Sequence, residues 1–221
     1  MTTDDKQRTR ILELAQKRFF ELGISAVTME NLAHELGISK KTMYHFFESK
    51  TALLEVLIEQ HLIRLTEELA EVQDTPADFL DRAISVWTYG GQTLAALSPA
   101  LRDDLCRHHP DLWRRLDGFY QERLLKTLSH QLEAGMKLNI FRSDLNKEAV
   151  LLFFCAGIEK IVTPSTLSRH SFSAEDAIKT IILLVFDGVL ADSSRTAFRR
   201  RLAHEKRQNI AFKRVNLNSD D

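Results

Sequence analysis

Residues 8–58 constrain the fold of this chain most strongly, because short apolar runs with helical spacing alternate there with residues that cap or end helices. The first run comprises Ile11, Leu14, Ala15, Phe19 and Leu22. Gly23 follows it directly, at the position where a left-handed C-cap residue is expected. This pattern predicts one amphipathic helix that buries a single face.

Two shorter helices are predicted after this turn. Thr28 is placed to cap the second helix and Ser39 to cap the third, while Gly37 between them tolerates the positive φ of a tight turn. The apolar positions of the second helix are Met29, Leu32, Ala33 and Leu36. Ser49 is placed to cap a fourth helix that begins near Lys50. Two short helices joined in this way form a helix-turn-helix, whose second helix lies in the major groove of DNA.

The same stretch carries a set of fixed spacings. They are Ile11-Leu12-x-x-Ala15, Phe19, Gly23, Thr28-x-x-x-Leu32-Ala33, Leu36-Gly37-Ile38-Ser39-Lys40, Tyr44-x-x-Phe47 and Ser49-Lys50-x-x-Leu53. In these spacings the chain resembles the DNA-binding domain of TetR-family transcriptional regulators. The resemblance implies an all-α fold, in which a three-helix helix-turn-helix DNA-binding domain precedes a larger helical domain for ligand binding and dimerisation. Beyond this stretch the chain agrees with the family only in the layout of its helices.

The third helix is the candidate for contact with DNA. The resemblance implies that the positions of Lys40, Thr42, Tyr44 and His45 face bases or phosphates. Thr28 and Lys50 lie at helix N-termini, where free backbone N–H groups favour a phosphate. The predicted contact residues are therefore Thr28, Ser39, Lys40, Lys41, Thr42, Met43, Tyr44, His45 and Lys50. The alternative is a solvated face with an ordinary cap at each helix end.

Charge is distributed unevenly along the chain. The formal net charge is −1, but residues 1–50 carry +1, residues 51–194 carry −7 and residues 195–221 carry +5. Phosphates would repel the acidic middle region, so it should face away from DNA. We therefore predict a DNA-binding domain over 1–50, a helical regulatory and dimerisation domain over 51–195, and a basic tail over 196–221. The tail is either a solvated extension or an arm that contacts phosphates or the acidic body.

The two last predicted helices, 147–163 and 174–191, are apolar over more than one face. The resemblance implies that they pair with their copies in a second protomer as a four-helix dimer interface. A twofold dimer also suits a major-groove reader of a palindrome. The predicted interface residues are Phe153, Gly157, Ile161, Ile178, Ile181, Ile182, Val185 and Gly188. The alternative is that both helices are simply buried within one chain.

The resemblance also implies a pocket for a small molecule in the body. Aromatic residues with a few polar groups suit an apolar or amphipathic effector. The candidate lining residues are Trp87, Tyr89, Gln92, Trp113, Phe119, Tyr120, His130 and Phe153. An ordinary aromatic core explains each of these residues equally well.

Several other functions find no support in the sequence. It contains no Gly-rich phosphate loop and no Ser/His/Asp ordering, so we expect neither an enzyme nor a cofactor. His108 and His109 lack partners at metal-ligand spacing, and the pair Asp103-Asp104 is interpreted as solvated helix charge. The two cysteines are interpreted as buried structural thiols, with a redox switch as the alternative. No apolar run is long enough for a membrane span and the N-terminus is polar, so a cytoplasmic location is expected.

These observations predict a homodimeric, ligand-responsive repressor that binds a palindromic operator. The fourth helix, beginning at Lys50, would couple ligand to DNA, because it links the two domains. The alternative is an architectural or partner-controlled DNA-binding factor with no small-molecule effector.

Overall fold

The computed structural model describes residues 2–196 and 198. Within these residues the regular structure is helical, and the single β-type contact is an isolated antiparallel bridge between Phe141 and Leu190. The helices are α1 (Thr3–Leu22), α2 (Met29–Glu35), α3 (Lys40–Phe46), α4 (Lys50–Asp74), α5 (Phe79–Ala96), α6 (Pro99–His108), α7 (Pro110–Phe119), a π-helical segment (Tyr120–Leu125), α8 (Lys126–Lys137), α9 (Lys147–Ile161), α10 (Pro164–Leu167) and α11 (Ala174–Val189). The all-α prediction is confirmed.

Helices α1 to α3 form a small unit, here called the head, and its boundaries follow from capping. The side-chain oxygens of Thr28, Ser39 and Ser49 each accept a hydrogen bond from the backbone N–H three residues later, at 3.0–3.1 Å. Gly23 and Gly37 both adopt positive φ, at 85° and 68°. The three predicted N-caps and the positive φ of both glycines are therefore confirmed, but ψ of Gly23 is 167°, so this residue is not in the left-handed helical conformation expected for it.

The head has its own apolar core, to which every helix contributes. Its buried residues include Ile11, Ala15, Phe19, Leu32 and Met43. Leu22 departs from the prediction because its side chain is 53% exposed. It is the last residue of α1, beyond the part of the helix that the other two helices cover.

The remaining helices form the body, in which α5 is central. It packs against α4, α8, α9 and α11. Trp87 on α5 is fully buried, and its ring meets the edges of Phe154 and Phe186 at centroid distances of 4.9 and 5.8 Å. Such edge-to-face contacts fix the relative rotation of helices as well as burying apolar area.

Two features of the body interrupt or end its helices. The π-helical segment separates α7 from α8. In the connector before α9, Phe141 lies over Gly135, where an added Cβ would collide with the aromatic ring. Asn139 takes positive φ, at 55°, and lets the connector turn there.

The structure corrects two interpretations made from the sequence, that of the basic tail and that of the two cysteines. The tail lies only partly within the described residues. Phe198 belongs to the core, since it is buried and stacks on Phe186 at 6.0 Å. The rest of the predicted basic tail, 199–221, lies outside the described residues.

Cys106 is exposed, so it is not a buried thiol, whereas burial raises the pKa of the half-buried Cys155 to about 11. Over the described residues, no helix has the length and apolar character to cross a bilayer.

Candidate functional site

The recognition helix α3 presents a polar face to solvent. Lys40, Lys41, Tyr44 and His45 are exposed, and Thr42 is half-buried. Ser39 caps the helix, and its hydroxyl lies 2.8 Å from the Thr42 hydroxyl. Because α3 has only seven residues, these side chains occupy one compact surface that can enter a groove.

Met43 does not belong to this surface. Its side chain is completely buried in the head core, although the sequence analysis included it among the DNA contacts. Its neighbours along the helix explain the error, since Lys40 and Tyr44 point outward while position 43 lies on the inward-facing side of the same turn.

Lys50 is also engaged within the protein. Its Nζ donates hydrogen bonds to the backbone carbonyls of Ile24 and Val27, both at 3.0 Å. The predicted phosphate contact by this ammonium group is therefore replaced by a structural role. Lys50 thus ties the first residue of α4 to the loop between α1 and α2 through charge-assisted hydrogen bonds.

Glu30, which is not among the residues predicted from the sequence, reaches the recognition helix from α2. Its Oε1 lies 2.5 Å from Nζ of Lys40, and that Nζ lies 5.7 Å from the ring centroid of Tyr44. The hydrogen bond to Glu30 raises the pKa of Lys40, and the same bond lowers the pKa of Glu30. The acidic residue in the first turn of α2 was the available sequence signal.

A carboxylate of the body holds the head in place. Asp104 on α6 accepts hydrogen bonds from the backbone N–H of Ser25 at 2.8 Å and from its hydroxyl at 2.6 Å. Burial acts to raise the pKa of Asp104, but the hydrogen bonds from Ser25 outweigh it and the pKa is lowered. A Cβ at Gly23 would approach Asp104 Oδ2 to 2.9 Å, so glycine also permits this close contact. The interpretation of Asp104 as solvated helix charge is therefore wrong.

The sequence of the head agrees with a known family. The family model for "Bacterial regulatory proteins, tetR family" matches residues 11–57. The chain belongs to the TetR family. It is a helix-turn-helix transcriptional regulator, and the proteins of this family are DNA-binding regulators rather than enzymes.

Similar proteins extend this agreement into the body. The uncharacterized HTH-type transcriptional regulator YvaF of Bacillus subtilis is 25% identical, with 77% of this chain and 89% of YvaF covered. The HTH-type transcriptional repressor KstR2 of Rhodococcus jostii is 26% identical, with 66% and 74% covered. The solved structure of the ketosteroid transcriptional regulator KstR2 of Mycobacterium tuberculosis has a TM-score of 0.66 and 20% identity, with 84% and 96% covered. The TetR-family fold therefore includes both head and body.

The predicted pocket residues differ in burial, and none of them lines either of the two surface cavities of the body. Trp87, Tyr89, Phe119 and Tyr120 are buried, and Trp113 is half-buried. The side chains of Gln92, His130 and Phe153 are exposed. The prediction that these three residues line an interior pocket is therefore not met in this structure. Two open surface cavities of about 500 and 580 Å³ are lined by other residues, at the start of the α8–α9 connector and between α4 and α7.

Some buried polar side-chain atoms of the body have hydrogen-bond partners and others do not. The Tyr89 hydroxyl donates to the carbonyl of Leu65 at 2.9 Å, and the Tyr120 hydroxyl donates to that of Thr93 at 3.4 Å. Burial raises the pKa of Tyr89 to about 12 and that of Tyr120 further. By contrast, Nε1 of Trp87 is buried and has no hydrogen-bond partner within the described part of the chain.

The predicted dimer residues divide into two groups. Ile178, Ile181, Ile182 and Val185 are buried within the single chain, where α11 packs on α9 and α5, so they are core rather than interface. Phe153 and Ile161 are exposed, Gly157 is half-buried, and open space surrounds Gly188.

Two leucines that the prediction omitted complete an exposed apolar face on α9 and α11. The side chains of Leu152, Phe153 and Leu184 are 71%, 64% and 63% exposed. We call the exposed apolar residues of α9 and α11, which are Leu152, Phe153, Ile161, Leu184 and Gly188, the apolar face.

Among residues 2–196 and 198, no group of three His, Cys, Asp or Glu side chains is arranged to hold a metal ion. His108 and His109 instead lie near the contact between head and body. Burial is the main cause that lowers the pKa of His109, and His108 and Lys50 act in the same direction.

Proposed function

We propose that this TetR-family regulator is a homodimeric repressor that binds a palindromic operator and releases it when a small molecule enters the body. The apolar face carries the proposal, because three large side chains that are more than 60% exposed mark a surface for another protein. The face lies on the two helices that the family resemblance assigns to dimerisation. The repressor sense rests on similarity to KstR2, which is named a transcriptional repressor.

A twofold pairing through this face would place two copies of α3 on one side of the dimer. In each copy Thr42 would contact a base edge, Lys40 would contact a base edge or a phosphate, and Tyr44 and His45 would contact the backbone, as would Lys41. Thr28 and Ser39 would direct the N-termini of α2 and α3 at phosphates. Contact with chromosomal DNA in a bacterium implies a cytoplasmic location for this protein.

The effector site would lie around Trp87. An indole N–H that is buried without a partner costs about 1–3 kcal/mol, so a ligand that accepts its hydrogen bond would be favoured there. The surrounding side chains include Phe154 and Phe186, which suits an apolar molecule with one acceptor oxygen. The similar protein KstR2 of Mycobacterium tuberculosis is a ketosteroid transcriptional regulator, and ketosteroids have this chemistry.

Effector binding would be coupled to DNA binding through the contacts between head and body. Asp104 on α6 holds the loop that contains Ser25, and Lys50 holds the same loop from α4. A shift of α6 or α4 in the ligand-bound state would therefore move the head. Ligand would favour the body state whose two heads miss successive major grooves.

One experiment tests the DNA-binding part. Duplexes are selected from a random pool at one stated salt concentration with the native protein and with Tyr44→Ala. We expect a palindrome from the native protein alone, while both proteins remain dimeric in sedimentation. A non-palindromic sequence, or the same pool with both proteins, would contradict the proposal.

A second experiment tests the effector. Fluorescence of Trp87 and Trp113 is titrated with a 3-ketosteroid, a long-chain fatty acid and choline, and operator affinity is measured with each. We expect quenching and operator release with an apolar probe but not with choline. Trp87→Phe should weaken this binding without unfolding the protein.

The burial and exposure of the predicted pocket residues favour one alternative. The predicted pocket residues are either part of the core or exposed, and the two surface cavities lie elsewhere. A DNA-binding factor controlled by a protein partner, or an architectural factor, would need no internal site. Operator binding that none of the apolar probes changes would support this alternative.

A further inference from the structure

Glu30 lies in the first turn of α2, but its carboxylate reaches the first residue of α3. Its Oε1 lies 2.5 Å from Nζ of Lys40. The two side chains are 50% and 64% exposed, so this ion pair is on the surface and contributes nothing to the head core. Lys40 Nζ also lies 5.7 Å from the ring centroid of Tyr44, which places the ion pair beside the residues proposed to contact DNA.

Two other cations near the recognition helix, Arg18 and Lys50, also bind groups within the protein. Arg18 on α1 forms ion pairs with Glu21 and Glu35, and Lys50 donates to backbone carbonyls. Among the described residues, Lys41 is the cation of α3 that makes no ion pair. The recognition surface therefore carries less available positive charge than its sequence suggests.

We propose that Glu30 restrains Lys40 in the free protein and thereby limits binding to DNA that lacks the operator. This inference rests on the proposed DNA-binding function. To contact a phosphate, Lys40 must leave Glu30, and the uncovered carboxylate then faces the DNA backbone. At an operator the additional base contacts of α3 offset this cost. Glu30 is thus a positioning residue that raises the ratio of specific to non-specific binding.

The physical basis is the counterion release that accompanies phosphate contacts. Each additional cation that neutralises a phosphate makes the salt dependence of binding steeper by about 0.9 in log–log slope. A lysine held by a carboxylate adds less to that slope, because its charge is already compensated within the protein. Because an exposed ion pair is weak, the restraint on Lys40 is modest, and the additional contacts at an operator can overcome it.

The test compares Glu30→Gln with Glu35→Gln in the full chain. Both changes remove one exposed carboxylate of α2 that pairs with a cation, but Glu35 pairs with Arg18 on α1. Binding to a mixed-sequence duplex of about 30 base pairs without an operator is measured from about 50 to 200 mM KCl. Thermal unfolding is measured in parallel, to verify that the variants are folded.

We expect Glu30→Gln to bind this duplex more tightly at low salt and with a steeper salt slope. Across a fourfold change in salt, its affinity should fall about 3.5-fold more per protomer than that of the native protein. Glu35→Gln should keep the native slope. In a Lys40→Gln background, Glu30→Gln should no longer steepen the slope, because the released lysine is absent.

Three outcomes would overturn the inference. They are an unchanged slope in Glu30→Gln, an equal change in Glu35→Gln, and an equal change in the Lys40→Gln background. The last two would show that the carboxylate acts only through overall charge. A native protein that binds neither this duplex nor any selected duplex would instead refute the proposed DNA-binding function, and with it this inference.

Discussion

The head and the body of this molecule differ in how their polar groups are paired and in how much apolar surface they expose. In the head, capping hydroxyls, ion pairs and the Lys50 hydrogen bonds pair many polar groups, although Nε2 of Gln7 is buried without a partner among the described residues. In the body, three large apolar side chains remain exposed and a buried indole N–H has no partner. The most exposed large apolar side chains therefore lie on the body rather than on the head.

The largest expected effect concerns the apolar face of the body. Leu152→Glu combined with Leu184→Glu should convert the protein to a monomer, because charges at a pairing surface are strongly disfavoured. Loss of the second recognition helix should lower operator affinity by about 100-fold or more. Leu138→Glu is the matched control, since Leu138 is 58% exposed but lies outside this face. Sedimentation would show an unaltered dimer for the double variant if the face is not an interface.

Two adjacent residues of α3 sharpen the comparison within the head. Met43→Ala should lower the free energy of unfolding by about 2–5 kcal/mol, because it leaves a cavity in the core. Tyr44→Ala should change that free energy by less than about 0.5 kcal/mol but remove DNA binding. Denaturant unfolding and DNA-binding assays of both variants measure the two effects. The opposite pattern would mean that the rotation of α3 is wrong.

The junction of head and body contains a buried histidine that should make stability depend on pH. His61 on α4 contacts the ring of Phe20 from α1 and Arg64 of its own helix. Burial lowers its pKa to about 4, with Arg64 acting in the same direction. In the unfolded chain the imidazole of His61 is protonated below about pH 6.5. Above that pH both states hold it neutral, so it does not change the free energy of unfolding there.

As the pH falls from about 6.5 to about 4, the unfolded state is favoured by up to about 3 kcal/mol. Urea unfolding at several pH values measures this change. His61→Leu should flatten the dependence, whereas the exposed His130→Leu should leave it as in the native protein. An equal slope in the native protein and in His61→Leu would contradict the assignment.

The smallest effect is expected at the contact between Asp104 and Ser25. Asp104→Asn weakens hydrogen bonds to a charged acceptor and should lower the free energy of unfolding by about 1–2 kcal/mol. Asp103→Asn is the control, since Asp103 makes only an exposed pair with Arg107. Equal values from denaturant unfolding of the two variants would show that this contact does not join head and body.

The sequence was most informative where structure depends on neighbours along the chain. Thr28, Ser39 and Gly37 predicted the helix ends of the head correctly, because caps and tight turns are local. The fold class followed from the same signals. The contact of Asp104 with Ser25 could not be predicted, since 79 positions separate the two residues.

Rotation of helices was the main source of error. Phe153 and Phe154 are neighbours in an apolar run, but the first is 64% exposed and the second is buried. Which residue faces inward depends on how α9 packs against α5 and α11, and an apolar run on several faces leaves this open. For Met43 the signal existed, because an apolar residue in a polar helix favours the core.

The attachment of Lys50 determines how far a movement in the body extends. Because its ammonium group holds the α1–α2 loop, the head is fixed to the end of α4 and must follow it. α4 has 25 residues, so it spans about 37 Å. A tilt of about 5° at its far end displaces the other end by about 3 Å, which approaches the rise of one base pair. A change too small to disturb the core of the body would thus be amplified into a shift of register on DNA.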